Sequence, residues 1–320
     1  MLKTRVASAS VAILILIAVV CLGKTAIGVS FFFVSVIAMY EYFKALENAT
    51  YRPVKPIGYI SCLYILLICF EYVSFGSLKL FQNMLSSKFL SMVIFLMLLA
   101  LLFCIVFLHQ KYNIVDVAVT FFGVFYITFL FSFIVLIRNL ENGFFLVWLV
   151  FIGAFSTDTF AYFSGRFFGK RKLMPAISPK KTVEGAVGGM LGCTVVTVIY
   201  GVYLLSSGNV PDISLYHYIV LGILCGVRSQ LGDWAASAIK RFVKVKDYGN
   251  IMPGHGGALD RFDSILFTAP VIYYYINFIM LVYIIMNSLR RYIIWWREYR
   301  FWDLRVPSVS KPWMWLKILI

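Results

Sequence analysis

Between Gln230 and Ser264 the chain reads QLGDWAASAIKRFVKVKDYGNIMPGHGGALDRFDS, which gathers four carboxylates and five fixed cations into 35 residues. Asp233, Ser237 and Lys240/Arg241 recur at three- and four-residue spacing, so on a helix they share one face. Gly249, Pro253, Gly254, Gly256 and Gly257 force a compact loop, and Asp260 and Asp263 then open a second helix on one face. A helix, a glycine-rich turn and a returning helix would bring three carboxylates and several cations together. Phosphoryl or nucleotidyl transfer needs such a set. Mg²⁺ takes oxygen ligands and keeps several waters, so one or two carboxylates plus substrate phosphates suffice. Lys and Arg neutralise phosphate oxygens, and glycines let backbone amides approach an anion. The alternative is structural, with Asp260–Arg261 and Asp233–Lys240 as ion pairs bracing helix ends. His255, set between glycines, suits either a loop hydrogen bond or acid–base work.

A second cluster precedes the first. Ser156-Thr157-Asp158-Thr159 lies inside an apolar segment, and an acid at membrane depth is a functional candidate by default. Gly165-Arg166 and Gly169-Lys170 follow, and then Ser178-Pro179-Lys180-Lys181-Thr182-Val183-Glu184-Gly185. The hydroxyls and ammoniums of Ser178, Lys180, Lys181 and Thr182 at an expected helix start make an anion cradle. The bland alternative is a basic loop touching lipid headgroups. Gly185/Gly189 and Gly188/Gly192 have the small-xxx-small spacing of close helix packing.

The elements that must position these residues are apolar. The chain of 320 residues is 62% hydrophobic and 13% charged, against about a quarter charged in soluble domains. Its mean hydropathy is +0.88. Phe89–Leu108 and Val117–Ile137 carry no charge, and each matches the ~20 residues of a spanning helix. Lys3, Arg5 and the run Val6–Gly23 resemble a signal peptide but lack its cleavage signature, which predicts a retained span. The fold expected is all-α, a polytopic transmembrane helical bundle of about nine spans. The further spans fall near 25–41, 56–75, 89–108, 115–137, 144–163, 183–206, 214–230 and 262–285. Residues 1–143 would be N-terminal transmembrane helices, 144–285 the catalytic region with its basic loops, and 286–320 a basic tail.

The formal charge is +15. Residues 164–182 and 228–261 are the two basic connections, while the intervening 206–213 has no basic residue. The positive-inside rule puts both, and the polar site, at the cytoplasmic face of the membrane. The scattered cysteines, Cys21, Cys62, Cys69, Cys104, Cys193 and Cys225, form no CxxC or Cys/His cluster and imply neither a disulfide framework nor a zinc site.

Taken together, these motifs closely resemble those of the phosphatidate cytidylyltransferase (CDP-diacylglycerol synthase) family. The family's Ser-x-x-Lys-Arg helix, Lys-Asp pair and Pro-Gly-His-Gly-Gly-x-x-Asp-Arg-x-Asp run match Ser237, Lys240, Arg241, Lys246, Asp247, Pro253 through Gly257, Asp260, Arg261 and Asp263. Its Ser-Pro-Lys-Lys-Thr-x-Glu-Gly element matches 178–185. Ala236 and Val183 stand where many members carry an acid and a tryptophan. The resemblance implies transfer of a cytidylyl group from CTP to phosphatidic acid, giving CDP-diacylglycerol and pyrophosphate. It implies Mg²⁺, with room for a second cation, at Asp233, Asp260 and Asp263. Lys180, Lys181, Lys240, Arg241, Lys246 and Arg261 would contact phosphates, with Ser237, Asp247 and His255 as positioning groups and Ser178, Thr182 and Asp158 on the substrate side. The partners implied are CTP, phosphatidic acid and membrane lipid, without nucleic acid; a homodimer is left open. A CTP-dependent kinase of a membrane alcohol would use similar groups. An anion transporter would show two related halves, whereas here the polar residues gather in one third.

The tail, residues 286–320, lies outside the resemblance. It supplies +5 of the net charge and five of the seven tryptophans. An interfacial segment, a poorly formed further span, or an altered reading frame would each account for that composition.

Overall fold

The computed structural model describes residues 2–71, 87–208, 214–251 and 256–279. The long apolar runs become helices: α1 (Leu2–Leu22), α2 (Lys24–Asn48), α3 (Lys55–Glu71) and α4 (Ser87–Phe107). Next come α5 (Ile114–Asn139), α6 (Gly143–Phe168), α7 (Val183–Ser207), α8 (Leu215–Phe242) and α9 (Leu259–Ile279). Among the described residues, α2, α5, α6, α7 and α9 are long and apolar enough to cross a bilayer. The protein is therefore a helical membrane protein, although length and apolarity do not by themselves carry a count of nine spans. Large apolar side chains point outward, as Leu14 (65% exposed), Phe107 (67%) and Phe167 (70%) do. Hydrocarbon, not water, suits such a surface.

The chain divides into two compact units, residues 1–273 and 274–320. Of the second, the described residues are the end of α9, and the basic, Trp-rich tail lies outside them.

The bundle is joined where side chains are small. A Cβ at Gly189 of α7 would sit 3.0 Å from the Thr157 carbonyl and 2.8 Å from Ala161 Cβ, both on α6. The small-xxx-small spacing thus serves helix packing, and it presses α7 onto the stretch of α6 that carries Asp158.

One feature departs from an all-helical reading. Lys172–Met174 (β1) and Ser178–Thr182 (β2) pair as an antiparallel hairpin, with Lys172 opposite Thr182 and Met174 opposite Ser178. Ser178–Lys181 therefore lie on a strand leading into α7, not on its first turn. Pro179 is tolerated there because a two-stranded hairpin is all edge. Helix α7 begins where Thr182 accepts a hydrogen bond from the Gly185 amide (3.1 Å), an ordinary N-cap. Glu184, in that first turn, accepts from the Lys170 (3.0 Å) and Arg171 (3.2 Å) amides and so ties down the approach to β1.

Candidate active site

Helix α8 continues twelve residues past the expected span end at Gln230, and that extension carries the chemistry. Its predicted polar face forms. Ser237 Oγ donates to Asp233 (3.4 Å), one turn away. Lys240 Nζ reaches Asp260 on α9 (2.7 Å), with side-chain exposures of 13% and 3%. The sequence offers Arg261 to Asp260 and Lys240 to Asp233; instead Arg261 is exposed, and Asp233 pairs with Lys181 from β2. Arg241 Nε donates to the Ile177 carbonyl (3.3 Å) at the hairpin turn. The two basic connections therefore meet at one end of the bundle.

A cavity of about 400 Å³ opens between α6, the hairpin, α7 and α8. Asp158, Ser178, Lys180, Lys181, Thr182 and Asp233 line it, so the second cluster and the start of the first share one space. Arg166, Tyr162, Gln230 and Trp234 line it as well, and none of these four was among the expected site residues. Gln230 ties α8 to α7 through the Ala186 carbonyl (3.0 Å), and Lys181 lies 5.9 Å from the Trp234 ring. Asp158 sits ten residues before the end of α6, about 15 Å along a helix axis. The cavity is thus a shaft running inward from the basic end, its wall largely apolar and edged by charged side chains.

The second half of the motif is organised differently. Asp260 Oδ2 accepts from the amides of Tyr248 (2.8 Å) and Gly257 (3.1 Å), while Oδ1 takes Lys240. Tyr248 is buried, which holds its phenol well above the usual range, and the hydroxyl donates to the Ala236 carbonyl (3.3 Å). Asp263, one turn further on, is buried and accepts from the Ser264 amide (2.7 Å); Ser264 Oγ donates to Asp158 (3.3 Å). Lys246 and Asp247 are exposed on the loop, and His255, with Pro253 and Gly254, lies outside the described residues.

The loop amides are also taken from the other side. Glu41 of α2, 1% exposed, accepts from the Ala258 (3.0 Å) and Leu259 (2.9 Å) amides. Glu41 escaped the sequence reading although its signal was present, because it is an acid inside an apolar helix, the criterion that singled out Asp158.

Among the described residues, no three acidic, histidine or cysteine side chains converge tightly enough to hold a metal by themselves. Asp158 and Asp233 nonetheless share the cavity, and Ser264 links Asp158 to Asp263. This donor set suits Mg²⁺ held by one or two carboxylates, waters and substrate phosphates, not a preassembled cage. Asp260 has less to offer an ion, since both its oxygens are engaged.

The cytidylyltransferase family model matches residues 3–279. The chain belongs to the cytidylyltransferase family. It is 32% identical over 274 residues to the phosphatidate cytidylyltransferase of Bacillus subtilis, covering 85% of this chain and 97% of that protein. A phosphatidate cytidylyltransferase of Haemophilus influenzae is 40% identical over 139 residues, 43% of this chain and 48% of that one. One from Staphylococcus saprophyticus is 32% identical over 271 residues, 85% of this chain and 97% of its own length. Family membership and the described geometry thus concern the same residues, from α1 to α9.

Proposed function

We propose that this cytidylyltransferase joins CTP and phosphatidate, giving CDP-diacylglycerol and pyrophosphate at the cytoplasmic face of the membrane. The observation that carries the reading is the shaft, in which Lys180, Lys181 and Arg166 face Asp158 and Asp233 in one cavity at the basic end of a membrane bundle. CTP reaches that end from the cytosol, while phosphatidate presents its phosphate at the bilayer surface. A phosphate oxygen of the lipid attacks the α-phosphorus of CTP in line; the bond to the bridging oxygen breaks and pyrophosphate leaves. No covalent enzyme intermediate is needed, so the protein positions groups and stabilises charge.

The Lys181–Asp233 pair closes the free site on itself. Triphosphate oxygens compete for Lys181, and its transfer to them uncovers the Asp233 carboxylate as the substrate arrives. Asp158, Asp233 and Asp263 would supply the carboxylate oxygens for Mg²⁺, which when bound neutralises charge developing on the phosphates. Lys240 stays with Asp260 and fixes α8 against α9.

The test is product identification. Purified protein given CTP, Mg²⁺ and phosphatidate should release one pyrophosphate per CDP-lipid formed and should stop on addition of EDTA. Release of CDP, or turnover that persists without divalent metal, would overturn the reading.

A further inference from the structure

We infer that Glu41 is a positioning residue of the reaction, holding the start of α9 so that Asp263 meets Asp158 and Asp233 in one fixed register. The inference rests on the cytidylyl-transfer reading above and adds a residue from the opposite half of the chain. Three observations meet at this carboxylate. It is 1% exposed inside an apolar helix, where an acid persists only with compensation. Its two oxygens are divided between consecutive amides, Ala258 (3.0 Å) and Leu259 (2.9 Å), and Leu259 is the first residue of α9. Two glycines of the loop also make room for it. A Cβ at Gly249 would lie 2.4 Å from Oε1, and one at Gly257 2.5 Å from Oε2.

Those two glycines therefore accommodate an internal carboxylate, and the amides beside it are not left for a substrate anion. Glu41 occupies the position at a helix N-terminus where a phosphate would otherwise bind. Asp260 follows directly on Leu259 and gathers Tyr248 and Gly257 from the loop's other side. Glu41 and Asp260 thus clasp the loop between them. A slip of one residue turns a helix by about 100°, which would carry Asp263 away from Asp158 and Asp233. Reacting groups displaced by about 1 Å lose on the order of 100-fold in rate.

The experiment measures CDP-lipid synthesis by the purified full chain in detergent, with melting midpoint and monodispersity followed in parallel. Glu41→Gln keeps the size but offers one acceptor oxygen and turns an NH₂ toward an amide. It should lower kcat about 10- to 100-fold while KM for CTP and for phosphatidate stays within about threefold. Gly249→Ala pushes the same carboxylate from the other side with its charge intact, and should lower kcat with KM unchanged. A Glu41→Gln protein that turns over within twofold of the parent overturns the inference, as does a loss that tracks the folded fraction or appears in KM. If Glu41→Gln does not yield folded protein, Gly249→Ala decides, and an unchanged kcat there rejects the role. A parent chain that makes no CDP-lipid would instead remove the reading on which this inference rests.

Discussion

The two basic connections look alike in sequence, each mixing lysines with glycines near a helix start, but the fold uses them in opposite ways. At the hairpin of residues 172–182, Glu184 secures the backbone just before β1 through the Lys170 and Arg171 amides, while Lys180 and Lys181 line the cavity. In the loop before α9 the backbone itself is consumed: Asp260 takes the amides of Tyr248 and Gly257, and Glu41 takes those of Ala258 and Leu259. A glycine-rich stretch beside a helix N-terminus suggests an anion cradle. Here protein carboxylates fill it first. What a ligand can use is the hydrogen-bonding capacity left after internal groups are satisfied, and among the described residues the amides of Tyr248, Gly257, Ala258 and Leu259 are already taken.

Substitutions can break this contrast. The largest effect is expected at Asp263, whose carboxylate joins Asp158 and Asp233 without a cation of its own among the described ion pairs. Asp263→Asn should cut kcat by at least ~100-fold, the scale of losing one electrostatic contact to the reacting centre, with the melting midpoint in detergent nearly unchanged. Asp260→Asn should behave differently. It leaves the half-buried Lys240 with a neutral partner, and losing one member of a buried pair costs about 3–5 kcal/mol, an upper bound here. Stability should therefore fall together with turnover, and a stable Asp260→Asn protein lacking only activity would show that the clasp is not its role. On the hairpin, Lys181→Ala should leave stability unchanged and raise KM for CTP about 10-fold, a charge-assisted contact of roughly 1.5 kcal/mol. Steady-state kinetics with CTP varied measures it, and a stability loss with unaltered KM would place Lys181 in the scaffold. The smallest effect is expected beyond the family match, which ends at residue 279. Truncation after Ile285 should preserve CDP-lipid synthesis per folded molecule; lost catalysis in a truncated chain that inserts and stays monodisperse would contradict this.

How much of this was legible in the sequence depended on distance along the chain. The shared face of Asp233, Ser237 and Lys240 follows from helical spacing, and Asp158 from the cost of an acid in an apolar segment. The pairing of charges did not follow. Lys181 and Asp233 are 52 positions apart, and Lys240 reaches across to Asp260 instead of back to Asp233. No local pattern encodes that choice. The hairpin was hidden because Ser-Pro-Lys-Lys-Thr has no apolar alternation. Glu41 gave a signal without an address, because its partners lie 217 and 218 residues away.

The claim that substrate phosphates sit at the hairpin and not at the glycine-rich loop can be measured directly. In a Cys21→Ala background, which removes the exposed native thiol, single cysteines replace Lys180 or Lys246, both exposed in the free protein. Maleimide labelling is then timed with and without CTP and Mg²⁺. The account predicts that CTP slows labelling at position 180 by about 10-fold or more, as full occupancy of a shared cavity requires, and leaves position 246 unchanged. Protection at 246 with none at 180 would contradict it.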